Sequence, residues 1–312
     1  MNWTGVMPAI TTCFDRDYKI DHNFVANHCR WLVEHGCTGI VPLGSLGEGA
    51  TLEHAEKLAI IDTCVKSVGP KVPVMAAISS LRTTEAVELA KAAADKGCAA
   101  VMILPPYVYR GDWREMKSHV VAVLRATKLP CMLYNNPVSY GTDFLPEQIA
   151  ELANEHKNLE SVKESSTDVR RVTAIRALLG DRIAVFMGVD DAIVEGVQAG
   201  AVGWIAGLVN ALPEESVDLF RFAAEGKIEE ASAIYKWFLP LLRMDTVPKF
   251  VQLIKLVQQE AGMGNARVRP PRLELEGKEL DEARAIIRAA LKTRPEAMQR
   301  RKPLEHRYGY RE

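Results

Sequence analysis

The chain has 312 residues, of which 48% are hydrophobic and 25% are charged, so its composition is that of an ordinary globular protein. Lysine and arginine number 39 against 40 aspartate and glutamate residues, which gives a net charge of −1. The hydrophobic content, together with the small net charge, excludes a disordered chain. The balance of charges also predicts no nucleic-acid and no membrane partner, because both would need clustered basic residues. A small molecule is therefore the expected partner.

The first residues and the cysteines indicate where the protein is expected to be located. Residues 1–5 have neither the basic leader nor the apolar run of a signal peptide, and the longest apolar stretch, at 99–108, is too short to span a membrane. We therefore expect a cytoplasmic protein. The six cysteines form no C-x-x-C pair, which predicts buried free thiols. The seven histidines show no ligand spacing, so we expect no metal.

Strand and helix patterns alternate along the chain. Apolar or β-branched runs predict eight strands, near residues 4–10, 39–43, 72–77, 99–104, 130–134, 159–163, 183–187 and 202–206. Helical spacing between them predicts helices at 23–34, 52–68, 84–96, 113–126, 146–153, 169–179 and 192–198. Repeated βα units produce parallel neighbouring strands. Because eight units fit within residues 1–225 and no nucleotide-binding glycine motif follows a strand, we predict an α/β fold of the (β/α)8 TIM barrel type, with a doubly wound sheet as the alternative.

Helical patterns without strands follow the barrel, at 228–243, 248–262 and 281–292. They predict a C-terminal helical layer, residues 226–292, packed on the barrel. Residues 293–312 are rich in lysine and arginine and poor in aliphatic side chains, which predicts a flexible basic tail.

Function in such a barrel is expected where the strands end at their C-terminal side. After the second predicted strand comes a loop with three glycines, Gly44-Ser45-Leu46-Gly47-Glu48-Gly49. Its glycines allow backbone N–H groups to turn toward a ligand, which suits a small anion such as a carboxylate. A plain tight turn between strand and helix is the alternative.

Two further junctions carry reactive side chains. Lys163 ends an apolar strand, and a partly desolvated lysine there keeps a fraction of free amine that can attack a carbonyl and form a Schiff base. Tyr134 ends the preceding strand, so the two side chains can face each other across the barrel mouth, where a phenol could transfer protons. A solvated lysine and a core tyrosine are the alternatives.

The junction after the next strand is Gly188-Val189-Asp190-Asp191. The glycine permits close approach, and Asp190 or Asp191 is interpreted as an N-cap of the following helix, with no catalytic role.

Taken together and in this order, these junctions resemble the family of dihydrodipicolinate synthase and N-acetylneuraminate lyase. The family patterns are approximately G-T-T-G-E, Y-N-x-P, x-K-[ED]-[SA] and a G-x-D turn, and the resemblance covers residues 1–292. It implies a TIM barrel with a helical C-terminal layer, a homo-oligomer built as a dimer of dimers, and Schiff-base chemistry on 2-oxo acids without metal or organic cofactor. By position it implies that Lys163 is the nucleophile, that Tyr134 transfers protons and that Ser45 stands where the family has its first threonine.

The resemblance also implies which residues bind the substrate: Gly44, Leu46, Gly47, Ser139, Gly188 and Ile205. Three positions depart from the family pattern. Leu46 replaces the second threonine of the loop, and Ser139 stands where the synthases have an arginine for a second carboxylate. The tyrosine that synthases lend across a dimer interface is replaced by Val108, so Tyr107 and Tyr109 beside it are the candidates for an inter-subunit relay.

These departures bear on the substrate. The motifs are similar to a branch that includes 1-pyrroline-4-hydroxy-2-carboxylate deaminases of hydroxyproline degradation, whose substrate carries one carboxylate. That dehydratase-deaminase is the favoured function. The alternatives are 4-hydroxy-tetrahydrodipicolinate synthase, an aldolase for N-acetylneuraminate or a 2-keto-3-deoxy sugar acid, and a catalytically silent barrel that binds a 2-oxo acid.

Overall fold

A parallel sheet of seven strands forms the centre of the molecule in the structure, a computed structural model that describes residues 1–106 and 109–295. The strands are β1 (Gly5–Pro8), β2 (Met75–Ile78), β3 (Ala100–Ile103), β4 (Cys131–Asn135), β5 (Leu159–Glu164), β6 (Ala184–Met187) and β7 (Gly203–Ala206). Their order in the sheet is β1-β7-β6-β5-β4-β3-β2, and every neighbouring pair is parallel. Helices cover the sheet, so the strands are buried almost throughout and appear in the sequence as continuous apolar runs.

The two end strands, β1 and β2, are connected by the segment 39–43, where the sequence predicts another strand. Val41 N donates to a carbonyl of β1 at 2.9 Å, and Ile40 N donates to the carbonyl just before β2 at 3.0 Å. Pro42 has no N–H to donate, and Leu43 has a φ of 70°, so the pairing is limited to isolated bridges. The sheet therefore curls and closes through this short segment, which takes the place of the second of the eight predicted strands.

Helices alternate with the strands in the described residues. They are α1 (His22–Glu34), α2 (His54–Val68), α3 (Thr83–Asp95), α4 (Trp113–Ala126), α5 (Pro137–Tyr140), α6 (Pro146–Glu155), α7 (Arg170–Leu179), α8 (Ile193–Gln198), α9 (Pro213–Ala224), α10 (Ile228–Leu242), α11 (Phe250–Glu260) and α12 (Gly277–Lys292). Apart from α5 and α9, each corresponds to a helix predicted from the sequence. Local signals explain several starts: the carboxylate of Asp112, for example, accepts from Glu115 N and begins α4.

The helices after residue 225 pack on one another, with α10 in contact with α9 and α12, and α11 in contact with α12. The division of the chain into a barrel (1–225) and a helical layer (226–292) stays a prediction. At the start of the predicted tail, Arg294 pairs with the buried carboxylate of Glu215. The rest of that tail, residues 296–312, lies outside the described residues. In the part of the chain that the structure describes, no helix has the length and hydropathy needed to cross a membrane.

All six cysteines are buried and free, as the sequence predicts. Burial raises the pKa of the Cys98 and Cys131 thiols to about 12, so these thiols remain protonated and unreactive near neutral pH.

Candidate active site

A cavity of about 420 Å³ lies where the strands end at their C-terminal side. Eight of the residues that the sequence assigns to the site line this cavity: Gly44, Ser45, Leu46, Tyr134, Ser139, Lys163, Gly188 and Ile205. They come from five different strand ends or loops, and the parallel sheet brings these ends together at one edge. Gly47 packs below the cavity, where its carbonyl accepts a hydrogen bond from Thr12 Oγ1 at 2.7 Å.

Lys163 and Tyr134 lie side by side at the bottom of the cavity. They are register partners on β5 and β4, so their side chains leave the sheet on the same face. Both are buried, at 6% and 5% exposure, and the Lys163 Nζ lies 4.1 Å from the centroid of the Tyr134 ring. This contact holds the amine at a fixed position in the cavity.

Gly188 makes the space for this lysine. A Cβ atom at Gly188 would lie 2.4 Å from Lys163 Cε and 1.9 Å from Ser165 Oγ, well inside van der Waals contact. The position therefore requires glycine because the lysine passes directly over its backbone.

A second tyrosine, which the sequence analysis did not single out, completes a cluster of hydroxyl groups. Tyr140, on α5, is hydrogen-bonded to the hydroxyl of Ser45, and its ring meets the Tyr134 ring edge-on with centroids 5.8 Å apart. Asn136 Nδ2 donates to the Tyr134 hydroxyl at 2.9 Å. The sequence feature that could have identified Tyr140 is its position shortly after the end of β4. It is the last residue of the short helix α5, which follows that strand.

The glycine loop has free donors on the cavity side. Its carbonyls at Gly44 and Ser45 accept from Gly49 N and Glu48 N, at 3.1 Å each, which forms the turn. Within the described residues no acceptor takes the N–H of Ser45 or Leu46. A Cβ at Gly44 would meet no described atom within 4 Å, so the chain presents bare backbone to the cavity there. These donors fit a carboxylate, as expected from the sequence.

The loop is held from the outside by a buried ion pair. Glu48 has a φ of 56°, and its carboxylate accepts from Lys255 Nζ at 2.6 Å and from Arg269 N at 2.9 Å. Lys255 also donates to the Arg267 carbonyl at 2.6 Å. Both partners of the pair are almost fully buried, so α11 fixes the conformation of the glycine loop.

The interpretation of Asp190 or Asp191 as the N-cap of the following helix is wrong, because α8 begins after Ala192 without a side-chain cap. Instead, the Asp190 carboxylate accepts from Trp204 Nε1 at 2.9 Å, from Leu208 N at 2.8 Å and from Gly207 N at 3.1 Å. Burial raises the pKa of Asp190 to about 6, although these hydrogen bonds act to lower it. The Asp190 carboxylate binds the donors at the end of β7, and not the N–H groups of the next helix, because these donors are buried together with it.

The segment between α10 and α11 covers one side of the cavity, which the sequence analysis did not predict. Asp245, Thr246, Val247, Pro248 and Phe250 line it. Burial, together with the neighbouring Asp190, raises the pKa of Asp245 well above its usual value, while Lys163 opposes this shift. The cavity lining also includes Arg272, from the segment before α12.

The two tyrosines predicted for an inter-subunit relay are not part of this arrangement. Tyr109 is exposed, and its hydroxyl donates to Glu115 at 2.9 Å. Tyr107 lies outside the described residues. Among the residues that the structure describes, no group of three or more histidine, cysteine, aspartate or glutamate side chains has the geometry of a metal site.

Comparison with known proteins finds relatives along almost the whole chain. The sequence profile of the dihydrodipicolinate synthetase family matches residues 2–290. The 4-hydroxy-tetrahydrodipicolinate synthase of Methanopyrus kandleri is 32% identical over 289 residues, which are 92% of this chain and 95% of the relative. That of Bartonella quintana is 30% identical over 288 residues, 92% of this chain and 96% of the relative. The crystal structure of a dihydrodipicolinate synthase from Bacillus anthracis superposes with a TM-score of 0.88 at 26% identity, over 95% of this chain and 99% of that one.

Proposed function

This chain belongs to the dihydrodipicolinate synthetase family, and from that premise we propose that it is a lyase in which Lys163 forms a Schiff base with a 2-oxo acid or its cyclic imine, without metal or organic cofactor. The observation that carries the proposal is the position of Lys163. Its amine is buried in a cavity of about 420 Å³, beside a phenol and opposite a loop with free backbone donors. The loop binds the carboxylate of the substrate, and the amine attacks the adjacent C2 carbon.

Proton transfer in this scheme runs through the hydroxyl cluster. Tyr134 exchanges protons with the substrate at C2 and C3, and Tyr140 with Ser45 continues the path. Because Tyr140 comes from the same chain, the relay needs no tyrosine from a second subunit. Tyr140 thus takes the role that the sequence analysis gave to Tyr107 or Tyr109.

For the substrate, we propose 1-pyrroline-4-hydroxy-2-carboxylate. Lys163 attacks the C2 imine carbon and opens the ring, leaving an amino group on C5. Loss of a proton from C3 and of water from C4 gives an unsaturated amine, which tautomerises to an imine at C5. Hydrolysis of both imines consumes two water molecules and releases ammonia and 2,5-dioxopentanoate. The substrate needs one carboxylate site, in keeping with Ser139 at the position where the synthases have an arginine.

A second candidate is 4-hydroxy-tetrahydrodipicolinate synthase, the name that the compared relatives carry. Arg272 favours it, because a guanidinium in the lining of the cavity could bind a second carboxylate in place of the missing arginine.

Borohydride trapping tests both proposals. The protein is incubated with pyruvate or with 1-pyrroline-4-hydroxy-2-carboxylate and reduced, and the masses of the intact protein and its peptides are measured. We expect an adduct on Lys163 with each compound, ammonia released from the pyrroline only, and no adduct in Lys163→Ala. Trapping of pyruvate without turnover of the pyrroline would favour the synthase or an aldolase. Absence of any adduct would refute the Schiff base and favour a silent binding barrel.

We further propose that the protein is cytoplasmic and assembles as a dimer of dimers. Light scattering of the purified protein measures the assembly directly, and a monomeric mass at assay concentrations would contradict it. Full activity of a monomer would still agree with a relay completed by Tyr140.

A further inference from the structure

One carboxyl oxygen of Asp245, Oδ1, is without a hydrogen-bond partner among the residues that the structure describes. Asp245 belongs to the short turn at 243–245 between α10 and α11 and lies over the end of β7, where a Cβ at Gly207 would be 2.0 Å from Asp245 Oδ1. That oxygen is shielded from solvent and has no hydrogen-bond partner among the described residues, although the residue lines the cavity. Enclosing a polar atom in this way is unfavourable unless another molecule supplies the missing hydrogen bond.

The surroundings of Asp245 favour its protonated form. Burial raises the pKa of this carboxyl, and repulsion from the Asp190 carboxylate and, more weakly, from Asp191 raises it further. Asp190 is itself satisfied by its three donors and has no need of the Asp245 proton. Lys163 is the group that acts in the opposite direction. These surroundings favour the neutral carboxylic acid, the form of Asp245 that has a proton to donate.

We propose that Asp245 is the catalytic acid that protonates the hydroxyl group leaving from C4 of the substrate bound to Lys163. This inference rests on the proposed Schiff-base function. β5 and β7 are separated by one strand, so Lys163 and the end of β7 are roughly 10 Å apart along the sheet, which the lysine side chain and the first substrate carbons span. The glycines at 188 and 207 leave room at that wall of the cavity for the side chains of Lys163 and Asp245.

Elimination of the C4 hydroxyl group moves three electron pairs and one proton. In the enamine formed after loss of the C3 proton, the nitrogen lone pair forms the C2=N bond of an iminium, and the C2=C3 pair moves to form C3=C4. The C4–O bond breaks, and the oxygen leaves as water with the proton of Asp245. Asp245 remains as a carboxylate close to the positively charged iminium and regains its proton from solvent during product release.

A protonated acid at this place also discriminates between reaction classes. Aldol cleavage of a 4-hydroxy-2-oxo acid requires a base that removes the proton of the C4 hydroxyl, whereas elimination of that hydroxyl requires an acid. Asp245 supplies the acid. The site is therefore built for dehydration of a 4-hydroxy substrate.

Two leaving groups test the role of Asp245. Fluoride needs no proton to leave, so the 4-fluoro analogue of the pyrroline is compared with the 4-hydroxy compound in wild type and in Asp245→Asn. We expect the variant to release ammonia from the hydroxy compound about 100-fold more slowly than wild type and to release fluoride within about threefold of wild type. Thermal unfolding of the variant shows whether it is folded, and a pyruvate adduct on Lys163 shows that the Schiff base still forms.

A second variant acts without replacing the acid. In Gly207→Ala the added methyl group displaces the Asp245 carboxyl, so the same selective loss of dehydration is expected. Dehydration at the wild-type rate in Asp245→Asn, or equal slowing of both leaving groups, would overturn the proposal. A wild-type protein that traps pyruvate yet eliminates neither group would overturn it as well. If wild type traps nothing, the Schiff base itself is refuted, which distinguishes that failure from the failure of Asp245.

Discussion

Replacing Gly188 by alanine should disable Lys163 without removing it. The new Cβ would lie 2.4 Å from Lys163 Cε, and ordinary carbon contacts begin near 3.4 Å, so the lysine side chain must move by about 1 Å. Displacements of this size cost about 100-fold in rate when a reacting group is held in place for attack. We therefore expect the first-order rate of borohydride trapping at saturating pyruvate to fall about 100-fold.

Gly44→Ala is the matched control, since it is the same chemical change in the same cavity. No described atom lies within 4 Å of its Cβ, so it leaves Lys163 in place and narrows only the carboxylate site. We expect a higher KM for pyruvate with the saturated trapping rate retained. Thermal unfolding of both variants checks that each is folded. Trapping at the wild-type rate in folded Gly188→Ala would refute the argument that this glycine positions the lysine.

Three other perturbations test the remaining features. Tyr140→Phe should leave pyruvate trapping intact and slow the exchange of the substrate C3 protons in D₂O about 100-fold. Adding Ser45→Ala should slow this exchange little further if the two hydroxyls act as one unit. Additive losses in the exchange rate would contradict the relay. Lys255→Met should lower the free energy of unfolding in urea by about 3–5 kcal/mol, because it leaves the Glu48 carboxylate buried without its cation, and a loss below about 1 kcal/mol would be evidence against that pair. Burial lowers the pKa of His28 from 6.5 to about 4, so the unfolded chain takes up this proton first as the pH falls. Stability should therefore decrease by about 2 kcal/mol between pH 7 and pH 5, and His28→Gln, compared with wild type by denaturant titration at both pH values, should remove that part.

Much of the fold is predictable because it depends on local patterns. Parallel strands buried on both faces appear as apolar runs, and the helices between them have apolar residues at helical spacing. The segment 39–43 shows the limit of this reasoning: it has the composition of a strand, but Pro42 and the positive φ of Leu43 restrict it to isolated bridges. The short helix α5 is too brief to give a periodic signal.

The candidate site, like the fold, has features that follow from the sequence and others that do not. The residues at strand ends, such as Lys163 and Gly188, follow from the barrel architecture, because the topology places every strand end at the same edge. The interpretation of Asp190 failed because a sequence shows which helix is near a carboxylate but not which donors are enclosed with it. Here the donors come from Trp204 and the turn after β7.

The sequence by itself determined the alternation of strands and helices, the place of Lys163 and Tyr134 at neighbouring strand ends, and the family. These features depend on backbone hydrogen-bond geometry and on the burial of neighbouring positions, which act over a few residues. Only the tertiary structure decided that Tyr140 meets Ser45 from 95 positions away, and that Asp245 covers the end of β7. Such contacts arise from the packing of whole elements, and the burial that raises the pKa of Asp245 exists only once those elements have packed together.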